Sequence, residues 1–201
     1  MKKSLDTQRM VTLAMLSAVL LMMSFTPLGY LNIGPLAISL NMIPVAIAAI
    51  TLGPGGGMFL GAVFGITSFL QCIGVGGTSA MGVICFEISP ILAFVQRFVP
   101  RLLAGLLSGC VYMGMKKLTN SYVAGFVTGF VAALLNTLLF MLALLVCFGH
   151  TQYIQDLVGG RNVIVFACTF VGINAVVEMI ATTAVVGLVG RVLNQVVFSR
   201  R

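Results

Sequence analysis

Charge is what this sequence has least of: only 7% of its 201 residues are Asp, Glu, Lys or Arg, and just 4 are acidic. A soluble domain carries about 25% charged residues to keep its surface wet. With so few, most of the outer surface must face lipid. Tryptophan is absent, and His150 is the single histidine. The five cysteines, Cys72, Cys85, Cys110, Cys147 and Cys168, form no CxxC pair. With one histidine beside them they offer no metal-site spacing, so they read as small apolar residues of membrane helices. No metal and no cofactor is expected. There is no GxxxxGK[ST] phosphate-binding loop, no HExxH, no GxSxG and no acidic pair spaced for acid–base work. An enzyme is left without its chemistry, and any ATP-driven role must borrow its motor from another chain. The net charge of +7 does not indicate nucleic acid either. The basic residues stand in short clusters between apolar spans, not in a stripe interleaved with aromatics.

What the sequence has instead is 60% hydrophobic residues gathered into long runs. A helix needs about 20 apolar residues to cross the hydrocarbon core. Six segments qualify, near 10–27, 36–52, 55–73, 89–114, 121–148 and 162–190. Lys2-Lys3 before the apolar stretch from Val11 imitates a signal peptide, but further spans follow at once and no cleavage site is evident. That stretch therefore counts as the first span. Pro27-Leu28-Gly29 ends it, Gly53-Pro54-Gly55-Gly56-Gly57 turns sharply between the second and third, and Lys116 to Asn120 separates the fourth from the fifth. These runs predict an all-α integral membrane protein, a single domain over 1–201, folded as a compact bundle of six transmembrane helices. An inside N-terminus puts Lys2, Lys3, Arg9, Lys116, Lys117, Arg191, Arg200 and Arg201 on the cytoplasmic side and only Arg161 outside. That bias predicts both termini in the cytoplasm and a multi-pass protein of the cell membrane. Small residues recur at four-residue spacing, as in Ala14/Ala18, Gly57/Gly61/Gly65, Gly105/Gly109 and Gly125/Gly129. Such stripes let neighbouring helix backbones approach closely.

A charge inside the bilayer costs roughly 2.5–3.5 kcal/mol on insertion scales, so each embedded one requires a reason. Arg97 and Arg101 lie on the fourth span, and Glu178 on the sixth. At a rise of about 1.5 Å per residue, Arg101, Asn136 and Asn174 each lie about 18 Å from the outer ends of their spans. Glu178 is then about one turn deeper and Arg97 one turn shallower. These groups can converge on a cavity open to the outside. A structural ion pair between Arg101 and Glu178 is the alternative, and the asparagines can equally bond across helices. Arg97 has no obvious acidic partner in the sequence and reads as a ligand contact. Tyr30, Asn32, Ser39, Asn41 and Gln71 add polar groups on the outer side, and the Gly-rich segment from Cys72 to Glu87 is either a lid or a plain connector.

In this order and at this length, several segments resemble the substrate-binding S-component of an energy-coupling factor (ECF) vitamin transporter. They are Ala14-Met15-Leu16-Ser17-Ala18, Leu31-Asn32-Ile33-Gly34-Pro35-Leu36 leading into Ile43-Pro44-Val45, Leu52-Gly53-Pro54-Gly55-Gly56-Gly57 with Gly61 and Phe64-Gly65, and Pro100-Arg101-Leu102-Leu103-Ala104-Gly105-Leu106. The turn at Gly55-Gly56-Gly57 is richer in glycine and less charged than is usual in that family. The resemblance implies a protein that captures a water-soluble vitamin from outside, using the first loop and spans four to six. It implies partners too: a transmembrane coupling protein, docked through Ala14 and Ala18, and two cytoplasmic ATPases. The substrate-binding residues expected on this basis are Asn32, Asn41, Gln71, Arg97, Arg101, Asn136, Asn174 and Glu178. Two arginines suit a carboxylate, and the Pro27–Pro54 region is similar to pantothenate-type S-components. Pantothenate is thus favoured, with riboflavin next. A self-sufficient secondary transporter or channel and a structural membrane protein remain as rivals. The first needs an ion relay from Glu178 with Asp156 or His150.

Overall fold

Backbone in lipid must satisfy its own hydrogen bonds, and a helix does so within one segment. The computed structural model of the chain, which describes residues 2–26, 30–32, 37–75, 79–159, 172, 175–189 and 192, is accordingly helical. Helix α1 covers Lys2–Phe25; a two-stranded antiparallel ribbon follows, with β1 (Tyr30–Asn32) paired to β2 (Ala37–Ser39). Then come α2 (Met42–Leu52), α3 (Pro54–Leu70) running into a 3-10 turn at Gln71–Ile73, α4 (Ala80–Ile88), α5 (Pro90–Leu118), α6 (Ser121–Phe148) and α7 (Gln152–Val158). The last described helix, α8, is Ala175–Val189. Among the described residues four stretches are long and apolar enough to cross a membrane: Thr7–Phe25, Pro54–Ile73, Pro90–Leu118 and Ser121–Phe148.

The differences from the sequence expectation have local causes. Residues 37–39 of the expected second span are a strand, because Ala37 and Ser39 pair back onto Asn32 and Tyr30. What remains, α2, has 11 residues and is almost entirely buried. The Gly-rich segment after Cys72 holds a nine-residue helix, α4, capped by the Ser79 hydroxyl, which accepts from the Gly82 N–H at 3.3 Å. The sharp turn between α2 and α3 is made by one residue, Gly53, at φ 80°, a conformation that favours glycine. Pro54 already occupies the first turn of α3. Helix α5 runs on through Lys116 and Lys117, whose charges suit the negative end of its dipole.

The bundle closes around a seam of glycines. A side chain on Gly57 would collide with the Gly105 carbonyl and one on Gly61 with the Arg101 carbonyl. At Gly65 a Cβ would lie 2.9 Å from the Phe98 Cα. As α3 ascends, its contacts descend α5, so the two helices are antiparallel and in near backbone contact. Among the described elements this is the most extensive helix pair. Gly129 of α6 makes a similar approach to α8, where a Cβ would meet the Thr182 carbonyl at 2.9 Å. Outside, the pattern inverts that of a soluble protein: Met15, Met22, Ile91, Leu138, Leu142, Val146 and Ile180 are exposed, whereas Asn41, Gln96, Arg97, Arg101, Asn136 and Glu178 are buried.

Candidate ligand-binding site

The depth of each polar group follows from the packing register. A Cβ on Gly105 of α5 would lie 3.2 Å from the Val45 Cγ1 of α2. Both helices run antiparallel to α3 and hence parallel to each other. One turn back from Gly105 is Arg101, and one turn back from Val45 is Asn41, so these two are level. Arg101 lies with its guanidinium carbon 5.0 Å from the centre of the Phe140 ring on α6 and 4.9 Å from that of Phe64 on α3. One turn from Phe140 is Asn136, whose amide Nδ2 donates to Glu178 Oε1 of α8 at 3.0 Å. Asn41 at the start of α2, with Arg101, Asn136 and Glu178 on α5, α6 and α8, thus forms one polar layer. None of them is more than 7% exposed.

Arg97 occupies the next turn toward the α4 end. Its Nη1 donates to the Ser68 hydroxyl of α3 at 3.4 Å and its Nη2 to the Ser79 hydroxyl at 3.1 Å. Phe140 lies beneath it as well, 5.4 Å from ring centre to guanidinium carbon. Such stacking is worth about 0.5–2 kcal/mol and softens the burial of a cation without neutralising it. Arg101 Nη1 donates to the Arg97 carbonyl at 2.9 Å, locking the two arginines into one unit. Above Arg97, α4 seals the end of the bundle through Met81 and Cys85, packed with Ala93, Leu144, Phe148 and Ile154.

Several buried polar atoms at this level have no hydrogen-bond partner among the described residues: both amide atoms of Asn41, Oδ1 of Asn136, Nε of Arg97 and Oγ of Ser39. Each such group costs about 1–3 kcal/mol when left unsatisfied, and orphans are few in stable proteins. The unpartnered atoms of Asn41, Asn136 and Arg97 thus fall in the same two turns as the two guanidinium groups. Chemically the arrangement can bind and orient; it holds no nucleophile with a neighbouring base among the described residues.

Residues 8–190 match the family described as ECF transporter, substrate-specific component. The chain belongs to this family of S-components. Two relatives agree along nearly the whole length. A protein of Leuconostoc mesenteroides subsp. mesenteroides named pantothenate transporter PanT is 30% identical over 202 residues, covering 93% of this chain and 92% of its own. One of Lactococcus lactis subsp. cremoris, named pantothenic acid transporter PanT, is 27% identical over 198 residues, covering 92% and 95% respectively. The family and these relatives are transporter components, not enzymes.

In this S-component, the structure brings together five of the eight expected binding residues: Asn41, Arg97, Arg101, Asn136 and Glu178. Gln71 lies at the end of α3, where its Nε2 donates to the Ser24 carbonyl at 2.7 Å and braces α3 against α1. Asn32 is described by its backbone alone, in β1. Asn174 lies outside the described residues, as does Arg161. Ala14 and Ala18 are exposed on α1, the least buried of the four long helices. Sequence reasoning missed Ser68, Ser79, Phe64 and Phe140, which hold the arginines. It also missed Gln96, 1% exposed with both amide atoms unpartnered among the described residues. Only Gln96 carried a signal, being an amide beside Arg97 in an apolar run.

Proposed function

We propose that this S-component captures pantothenate from outside the cell and delivers it through an ECF energising module. In this reading the chain crosses the cell membrane six times with both termini cytoplasmic, and the α4 end of the bundle faces outward. A single observation carries the ligand class. Arg97 is buried among hydroxyls and an aromatic ring, with no carboxylate among its described polar partners, beside the orphaned amide of Asn41 and the unpartnered Oδ1 of Asn136. A carboxylate entering there forms charge-assisted hydrogen bonds in a site of low dielectric. The remaining hydroxyls and amide of pantothenate match the free amide atoms of Asn41 and Asn136. Asn32, Gln71, Arg101, Asn174 and Glu178 complete the proposed binding set. Riboflavin, bulkier and uncharged at its ring, suits this layer less well than an anion does. Ala14 and Ala18 on the exposed face of α1 serve as the docking surface for a transmembrane coupling protein, and two cytoplasmic ATPases supply the energy.

The test is direct. The protein is purified in detergent without added vitamin, its bound small molecules are identified by mass spectrometry, and binding of pantothenate and riboflavin is measured by calorimetry. Pantothenate at near-equal stoichiometry is expected. Recovery of riboflavin, or of no small molecule together with no pantothenate binding, overturns the assignment.

A further inference from the structure

We infer that the first turn of α4 and the Arg97 guanidinium form one anion seat, with Ser79 and Gly82 as the residues that position it. This rests on the pantothenate reading and names where the ligand's carboxylate is read. Ser79 Oγ accepts two bonds at once: from the Gly82 N–H, capping α4, at 3.3 Å, and from Arg97 Nη2 at 3.1 Å. Gly82 leaves the room for that approach. A Cβ there would lie 2.9 Å from Arg97 Nη2, 2.9 Å from the Cys72 Sγ and 3.1 Å from the Ser79 Cβ. The guanidinium therefore rests against the backbone of α4, while Ser68 holds its other nitrogen from α3 at 3.4 Å.

Two positive features meet at this point. The amino end of a helix carries a partial positive charge, and an anion stabilises it whereas a cation does not. Placing a guanidinium against that end is unfavourable unless an anion joins them. Among the described residues the only acceptors on the two terminal nitrogens of Arg97 are neutral hydroxyls, and its Nε, buried with the rest of a side chain only 6% exposed, has none. A guanidinium has five N–H donors, so several remain for an incoming carboxylate. Holding it at both ends by Ser68 and Ser79 orders it before the ligand arrives, which strengthens binding by reducing what must be immobilised. Ser79, the N-cap of α4, thus sets charge selectivity as well as the helix start.

The experiment compares Ser79→Asp with Ser79→Asn in the full chain in detergent. Asp and Asn cap helices about equally well and are nearly the same size, so the pair isolates charge. A carboxylate at position 79 pairs with Arg97 and fills the seat from within. Affinity for pantothenate should fall in the Asp variant at least about thirtyfold below that of the Asn variant, the size expected when a buried charge pair is denied its partner. The two variants should bind pantothenol, in which an alcohol replaces the carboxylate, equally. Gly82→Ala, which crowds Nη2, should reduce the wild-type preference for pantothenate over pantothenol about tenfold. Equal pantothenate affinity in the Asp and Asn variants, or an unchanged preference in Gly82→Ala, overturns the anion seat. A wild-type protein that binds no pantothenate at all fails the proposed function instead, so the two failures are told apart.

Discussion

Arg97 is the residue whose placement most needs an explanation. Its described polar contacts are neutral, and insertion of an arginine into oil is costly. Replacing it by alanine removes an expensive group together with the bonds it would make to a carboxylate. Bonds to charged groups contribute about 1.5–3 kcal/mol, which is roughly a 10- to 150-fold change in affinity. Arg97→Ala should therefore weaken pantothenate binding by that range while keeping a monodisperse profile and a normal melting transition in detergent. Unchanged affinity would remove Arg97 from the site. At this scale the expensive residues were legible in the sequence: Arg97, Arg101, Glu178 and Asn136 announce themselves because burial of each demands compensation. Ser68 and Ser79 do not, because a serine is cheap to bury by bonding its own helix, as Ser108 does to the Ala104 carbonyl. Nor does Phe140, one phenylalanine among 14, whose role depends on which arginine it faces.

Among the elements, the α3–α5 seam couples packing to the site, because the backbone that Gly61 touches is that of Arg101. Forcing a methyl group into a packed seam costs about 1–3 kcal/mol. Gly61→Ala should lower the melting temperature and weaken ligand binding together, since α5 must shift at Arg101. Gly114→Ala, where a Cβ meets nothing within 4 Å, should leave binding unchanged and keep or slightly raise the melting temperature, since alanine favours the helix. Equal melting temperatures for the two variants would show that the seam yields without cost. Helix α1 presents the opposite case. Ala14 and Ala18 are exposed, so leucine at either position should spare ligand binding yet abolish ATP-dependent uptake by blocking the proposed close contact with a coupling protein. Uptake that survives both replacements would place docking elsewhere. Sequence periodicity located α6 at its observed bounds, 121–148, because that run is unbroken by proline or charge. It overlooked α4 and the β1–β2 ribbon for different reasons. Helix α4 is nine residues long, too short for a spanning pattern, and the strands exist only through pairing across an intervening loop.

For the whole molecule, the proposed function places binding on this chain and the energy source on others. The sequence holds no phosphate-binding loop. A self-powered transporter would instead need an ion relay through the membrane. The described carboxylate in the bundle, Glu178, is engaged with Asn136 within a buried layer. Asp156 stands apart on the exposed side of α7, bonded to Gln152 at 3.0 Å. No chain of titratable groups links them among the described residues. Reconstituted alone in liposomes, the protein should bind pantothenate tightly but accumulate none beyond the amount of protein present, with or without a proton or sodium gradient. Adding the coupling protein and its two ATPases with ATP should then give uptake over many turnovers. Radiolabelled pantothenate measured inside sealed vesicles separates the two regimes, because a bound signal saturates at the protein concentration while transport exceeds it. Sustained, gradient-driven uptake by the isolated chain would show that it moves its cargo unaided, and the division of labour between capture and energy would have to be abandoned.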